Sequence, residues 1–319
     1  MIAYIIRRIL GAVPLILLVL VINFIILQLA PGDPVFLFIQ GGAGTTAEYV
    51  QQVRERLGLD RPMGEQLLVF ILNIFRGELG FSHFYQQPVA ALIMERLPIT
   101  FLLVILSTIF ASVAGILLGI FAGTRPYSAV DRINTVVAVL GYSIPTFWLG
   151  QLLIIAFSVR LNILPTGGIP MHFTGGGGFL DWLRHLVLPV LSLGFIQLAL
   201  AARVMRASTL EVLGMDYILS ARAKGLKESV ILFKHALRNA VLPVLTVISV
   251  NFAFQFTGAM IIETVYSWPG LGRLMFESVY RRDYPVLMGL LIVTSVGVIV
   301  INLITDLLYA YIDPRIVYE

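Results

Sequence analysis

Long unbroken apolar runs alternate along this chain with shorter polar stretches. Six of the runs, residues 9–30, 100–123, 133–159, 186–202, 241–262 and 286–311, are candidates to cross a bilayer. About 20 apolar residues in a helix cover the roughly 30 Å hydrocarbon layer, so each run is read as one span. The fourth is the shortest, and residues 203–210 are available to lengthen it. A further apolar stretch, residues 66–75, is too short to span and fits an amphipathic surface helix. Arg7 and Arg8 precede the first run. A cleavable leader would share that charged start, but this stretch is longer than a leader's apolar core and no small-x-small site precedes Pro31. A retained first span is expected.

The polar stretches set the organisation and the orientation. Residues 1–30 form a tail and first span, residues 31–99 an external region, and residues 100–319 a five-helix core with a cytoplasmic loop at 203–240. With the N-terminus inside, the inner segments hold twelve Lys and Arg in 63 residues against ten in 118 outside. Residues 31–99 exceed the length over which the positive-inside rule applies; the two shorter external loops carry five in 49, and the bias keeps its sign. Both termini are therefore expected in the cytoplasm. The external region opens with Pro31-Gly32-Asp33-Pro34, a proline-bracketed turn, and continues into an expected helix over residues 47–57 with Val50, Val53 and Leu57 on one face. In the third span Pro145 removes a backbone donor and permits a kink.

Composition narrows the class. The 319 residues are 58% hydrophobic and only 13% charged, with a mean hydropathy of +0.92, which places the chain in a membrane. The net charge of +4 is accounted for by topology rather than by nucleic-acid binding. The chain has no cysteine, so disulfides, thiolate metal sites and thiol nucleophiles are excluded. No H-E-x-x-H, G-x-S-x-G or Walker A stretch occurs, and His83, His172, His185 and His235 lack metal-ligand spacing. The glycines at 175–178 have no following Lys-Ser/Thr with which to cradle phosphate. A non-catalytic protein is expected, with no metal and no cofactor in this chain.

Residues 211–243 stand apart as a charged, helical insertion between two apolar runs, and they contain all three lysines, Lys224, Lys227 and Lys234. Asp216 is placed to cap a short helix from Tyr217, and Gly225 to end it in a left-handed conformation before a second helix near Lys227. The small residues Ser220, Ala221 and Ala223 suit close approach by another protein. Arg222, Lys224 and Lys227 supply donors for acidic or carbonyl partners. A docking knob and an ordinary basic cytoplasmic loop both fit this composition. Polar residues within the spans are Asn23, Gln28, Gln151, Gln197, Asn251, Gln255, Thr257 and Glu263. Asn251 and Gln255 lie four apart on one helical face, with Thr257 and Gly258 nearby. Such residues line a route through the membrane or hydrogen-bond between helices. Asp306 is read as pairing with a basic cytoplasmic residue.

Several of these stretches together carry a resemblance. Asp216-Tyr217, Ala221-Arg222-Ala223-Lys224-Gly225-Leu226, His235-Ala236-Leu237-Arg238-Asn239-Ala240 and Pro243 closely resemble the cytoplasmic EAA loop of ABC importer permeases of the peptide/nickel type. Leu219-Ser220-Ala221 stands at the name-giving positions, a departure that this branch shares. Pro31-Gly32-Asp33-Pro34, Leu57-Gly58-Leu59-Asp60-Arg61-Pro62, Gly77-Glu78-Leu79-Gly80 and Glu95-Arg96-Leu97-Pro98 extend the likeness over nearly the whole chain.

The resemblance implies an all-α permease of six transmembrane helices. Residues Asp216, Tyr217, Ala221, Arg222, Ala223, Lys224, Gly225 and Leu226 would form the coupling loop against an ATPase subunit. The partners it implies are a homologous second permease, two ATP-binding subunits carrying ATP and Mg, an external solute-binding protein and the lipid bilayer. The external stretch from Tyr266 to Pro285 resembles the family's loop near the mouth of the pathway. That would place Trp268, Pro269, Arg281 and Asp283 toward the binding protein, whereas an interfacial belt of Tyr266, Trp268 and Tyr284 is the alternative. Gln151, Gln197, Asn251, Gln255 and Thr257 are the candidate pathway residues. Di- or oligopeptides suit such a polar, uncharged route; nickel or another small solute is the alternative. An ion-coupled secondary transporter would need repeats, broken helices and buried acids, and an intramembrane hydrolase a catalytic pair; neither pattern is evident.

Overall fold

The computed structural model describes residues 2–29, 51, 60–82, 84–169 and 178–312. The Pro31 turn, the helix expected over 47–57 apart from residue 51, and the glycines at 175–177 lie outside these, as does the side chain of Asp306. The chain divides into two compact units, residues 1–98 with 273–319, and residues 99–272.

In the first unit, α1 (Ile2–Leu29) packs along α12 (Tyr284–Ile312). The short apolar helix α2 (Met63–Phe75) lies against α1, where Phe70 meets Phe24 with ring centroids 5.5 Å apart and Gln28 donates to Gln66 at 3.0 Å. A two-residue hairpin, β1 (Phe81–Ser82) with antiparallel β2 (Gln87–Pro88), leads into α3 (Val89–Thr124). Gly289 of α12 faces Val89 and Ile93 of α3, leaving no room there for a side chain.

The second unit contains α4 (Ala129–Ser143), α5 (Thr146–Leu153) ending in a π-helical segment Ile154–Arg160, and α6 (Gly178–Leu213). It continues through α7 (Asp216–Ala223), α8 (Glu228–Val230), a π-helical turn Ile231–Ala236, and α9 (Leu237–Ala240). It ends with α10 (Leu242–Val265), after which α11 (Leu271–Arg281) lies almost wholly in the first unit. Within this unit α6 is the central element, packed by α4, α5 and α10.

Gly115, Gly119 and Gly123 repeat every fourth residue on α3 and form a smooth stripe against α6. A methyl group at Gly115 would come within 2.8 Å of Ala201 Cβ, and one at Gly123 within 2.6 Å of Thr209 Cβ. Lipid offers no hydrophobic driving force between helices, so small residues that allow backbone-close packing hold such pairs together.

Among the described residues, four helices are long and apolar enough to span, and two bent pairs bring the number to six if each is one span. The expected fourth span is lengthened at both ends. At 36 residues α6 reaches about 54 Å, well beyond a bilayer core.

The third span departs from expectation. Instead of one kinked helix, α4 and α5 meet at 112°. Ile144 is extended, with φ −96° and ψ 119°, because a residue before proline is sterically driven out of helical conformation. Pro145 then starts a new helix, its carbonyl accepting from Leu149 N–H at 3.0 Å.

Candidate functional site

The sharp turn at Pro145 leaves room between α4, α5, α6 and α10. A cavity of about 280 Å³ there is lined by Tyr142, Thr146, Leu193, Ile196, Gln197, Leu200, Asn251, Phe254, Gln255 and Gly258. Of its polar groups, Gln197 and Gln255 are buried, only 3% and 6% exposed. Thr108 donates to Gln255 Oε1 at 2.5 Å, and Asn251 Nδ2 donates to the Val247 carbonyl at 2.8 Å. The Gln255 Nε2 and both polar atoms of Gln197 have no hydrogen-bond partner among the described residues. A buried amide without partners costs about 1–3 kcal/mol, so these groups are poised for a ligand or water that supplies the missing bonds. Three of the candidate pathway residues, Gln197, Asn251 and Gln255, thus meet at one cavity. Thr257 and Gln151 are exposed and do not line it.

Beyond Tyr142 lies a more polar groove that includes Asn134, Thr135, Ser143, Arg203 and Arg206. Arg206 forms a two-pronged ion pair with the buried Asp131 carboxylate, which also accepts from Tyr127 N–H at 2.8 Å. This pair joins the start of α4 to α6.

The coupling-type loop is mounted on the core rather than hanging free. Ile218 is fully buried and Ala221 nearly so, packed in a cluster with Ile120, Met205, Val212, Ile231 and Val244. Ala221 therefore faces this chain's own interior, and the other seven candidate docking residues are exposed. Asp216 does not cap α7: it is the first helical residue, and the capping position belongs to Met215. The far end matches expectation. Gly225 has φ +75°, Leu226 N–H reaches the Ala221 carbonyl at 3.4 Å, and Gly225 N–H reaches that of Arg222 at 2.9 Å, the two bonds of a Schellman cap. Arg222 Nε donates to Glu228 Oε1 at 2.8 Å, raising the arginine pKa further, and Asn239 Nδ2 donates to the Tyr217 hydroxyl at 2.8 Å.

The external candidates are corrected by burial. Trp268 and Tyr266 are 0% and 1% exposed, so neither faces a binding protein or the headgroup layer. The Tyr266 hydroxyl instead bonds with Ser192 Oγ at 2.8 Å and the Gly150 carbonyl at 3.0 Å. Glu263 is also fully buried, accepting from Thr100 Oγ1 at 2.6 Å and from Gly272 N–H at 2.6 Å. Asp283 is buried too, accepting from Ser82 Oγ at 2.5 Å and, at the start of α12, from Val286 N–H at 3.4 Å. Pro269 is half-buried, and Arg281 is exposed with its guanidinium 3.6 Å over the Phe84 ring. Beside it Tyr85 donates to Glu277 Oε2 at 2.7 Å and Arg273 Nε to Oε1 at 2.9 Å. Burial and the Glu277 carboxylate push Tyr85 up to about 12. Burial works to raise Glu277, but the bonds from Tyr85 and Arg273 outweigh it and hold the carboxyl below its ordinary value.

Known proteins supply the family. The family described as the binding-protein-dependent transport system inner membrane component matches residues 115–318, and the N-terminal part of such membrane components matches residues 1–104. The chain belongs to this family of importer permeases. It is 42% identical over 319 residues, the full length of both chains, to the oligopeptide transport system permease protein AppB of Bacillus subtilis (strain 168). Over the same full lengths it is 42% identical to the glutathione transport system permease protein GsiC of Pectobacterium atrosepticum and 40% to GsiC of Escherichia coli (strain K12). The inward-facing MetNI methionine ABC transporter shares the fold, with a TM-score of 0.55 at 18% identity over 70% of this chain and 96% of that one.

This permease is a multi-pass inner membrane protein of an ABC importer, as its membership and apolar helices require. Sequence reasoning missed three of its features: the glycine stripe on α3, the Asp131–Arg206 pair and the role of Ile218 as the anchor of α7. The first was legible as a glycine at every fourth position. The pair joins residues 75 apart in the chain, and no local pattern announces it.

Proposed function

We propose that this permease forms half of an inward pathway for di- and oligopeptides, with both termini in the cytoplasm. A homologous permease completes the pathway, two ATP-binding subunits holding ATP and Mg dock on residues 211–243, and an external solute-binding protein delivers the peptide. Exposed Asp216, Tyr217, Arg222, Ala223, Lys224, Gly225 and Leu226 meet the ATPase, while Ala221 fixes the helix to the core. This chain performs no chemistry. Closure of the ATPase pair drives α7 as a rigid lever, because Ile218 and Ala221 transmit its movement to α3, α6 and α10. The cavity then opens alternately to the two sides.

The observation that carries the peptide reading is the set of buried, unpartnered amide atoms on Gln197 and Gln255. A peptide backbone offers N–H and C=O at every residue and satisfies neutral amides whatever its side chains are. The relatives named for oligopeptide and glutathione transport support the same substrate class. The test is ATP-dependent uptake of a labelled dipeptide and of glutathione by the assembled complex in proteoliposomes, with Gln197→Leu and Gln255→Leu variants. Losing one or two ligand hydrogen bonds lowers uptake by about five- to tenfold, with ATPase subunits still bound. Unchanged uptake in both variants would remove the cavity from the pathway. A wild-type complex that hydrolyses ATP yet moves neither compound would overturn the peptide assignment.

A further inference from the structure

The stripe of α6 that lines the amide cavity continues past it. Leu193, Gln197 and Leu200 face the cavity, and Arg203 and Arg206 follow at the same three- to four-residue spacing on the wall of the adjoining groove. Tyr142 belongs to both linings, so the two spaces are neighbours across one ring. The groove's two cations are not equivalent. Arg206 is committed to Asp131, whereas among the described residues Arg203 forms no ion pair, its guanidinium lying 6.0 Å from the centre of the Tyr142 ring. Asn134, 2% exposed, lines the same groove, with its side-chain oxygen lacking any hydrogen-bond partner among the described residues. An uncommitted guanidinium and a buried unsatisfied amide thus face a space wide enough for a ligand.

We infer that Arg203, with Tyr142 and Asn134, is a binding site for the C-terminal carboxylate of the transported peptide. The guanidinium offers paired donors that match a carboxylate's two oxygens. The unpartnered Asn134 Oδ1 is an acceptor and suits the N–H of the terminal peptide group. From Gln197 to Arg203 the helix rises about 9 Å, the length of two to three residues of extended peptide. One ligand therefore reaches from the amide cavity to the arginine. The assignment rests on the peptide reading and adds to it a preference for a free C-terminus.

The test measures equilibrium binding of radiolabelled tetra-alanine, and of the same peptide with an amidated C-terminus, to the nucleotide-free complex in nanodiscs without binding protein. Wild type, Arg203→Gln, Arg203→Lys and Gln197→Leu are compared after retention of the ATPase subunits shows that each has assembled. Wild type favours the free acid by about tenfold, as expected for one charge-assisted contact. Arg203→Gln abolishes that preference and leaves the amidated peptide unaffected; Arg203→Lys keeps part of it; Gln197→Leu weakens both peptides alike. Equal binding of acid and amide by wild type overturns the carboxylate site while leaving the peptide pathway standing. Binding of neither peptide overturns both. An anionic phospholipid headgroup is the other source of such chemistry. It is indicated if phosphatidylglycerol retained by the complex, read by native mass spectrometry, falls in Arg203→Gln while the acid-to-amide ratio does not move, and that result overturns the proposal.

Discussion

At the scale of single residues, the hairpin before α3 is pinned to α11 by charge and hydrogen bonding, not by apolar packing alone. Tyr85 and Arg273 grip the two oxygens of Glu277, and Arg281 covers Phe84. The two perturbed groups bound a pH window. A carboxyl held below its ordinary value of 4.5 contributes stability that is present above that pH and lost as the pH falls through its folded value. A phenol raised from 10.0 to about 12 contributes stability present below pH 10 and lost as the pH rises toward 12. Protection factors at residues 81–82 and 84–88, corrected for the intrinsic pH dependence of amide exchange, should therefore be highest between about pH 4.5 and 10 and fall on either side. Tyr85→Phe removes one hydrogen bond, worth about 1 kcal/mol, and should raise exchange about fivefold inside the window. Protection that ignores both pH and the substitution would show that the pair holds nothing.

The elements obey different constraints. Helices α3 and α6 approach so closely because Gly115, Gly119 and Gly123 present no side chains to Ala201, Met205 and Thr209. A Cβ at Gly119 would lie only 2.5 Å from Met205 Cβ, and the neighbour on the other side is backbone, which has little freedom to withdraw. Gly119→Leu should force the helices apart and cost several kcal/mol. The expected result is loss of the assembled complex on size exclusion, whereas Gly11→Leu, at a position with open space around it, should assemble normally. Equal assembly of the two variants would contradict the close packing. A different rule governs α4 and α5. Their 112° turn follows from one proline, and the turn makes room for the cavity.

For the whole molecule, the coupling role proposed for residues 211–243 turns on how they are attached. A lever transmits motion only if its fulcrum is stiff, and Ile218 seats α7 in a core shared with α3, α6 and α10. Ile218→Ala leaves a cavity under the helix while the exposed face proposed for docking is unchanged, at a cost of about 2–5 kcal/mol to local stability. The expected outcome is uncoupling: ATPase subunits remain bound and hydrolyse ATP, while uptake per ATP falls severalfold. A proportional fall in hydrolysis and uptake would mean that the variant simply assembles less, and an unchanged ratio would remove Ile218 from the coupling route.

The approximate positions of the apolar spans were written in the sequence, since a bilayer core forces each crossing segment to satisfy its own backbone and to be apolar throughout; the length of the fourth and the break in the third were not. The Gly225 cap was equally local, because a left-handed residue at a helix end needs only the absence of a side chain. So was the family, carried by motifs whose order and spacing survive without knowledge of the fold. Which side chains face inward could not be read this way. Trp268 and Asp283 look exposed in a loop rich in turns and charges, yet both are buried, Asp283 against Ser82, 201 residues away. Gln197 and Asn251 looked like equals of Gln151 and Thr257 until neighbouring helices enclosed one pair and left the other outside. Periodicity gives the angle of a residue around its own helix, but burial is decided by what packs against that angle. Only the tertiary structure brings Gln197, Asn251 and Gln255 to one cavity and sets Arg203 beside it.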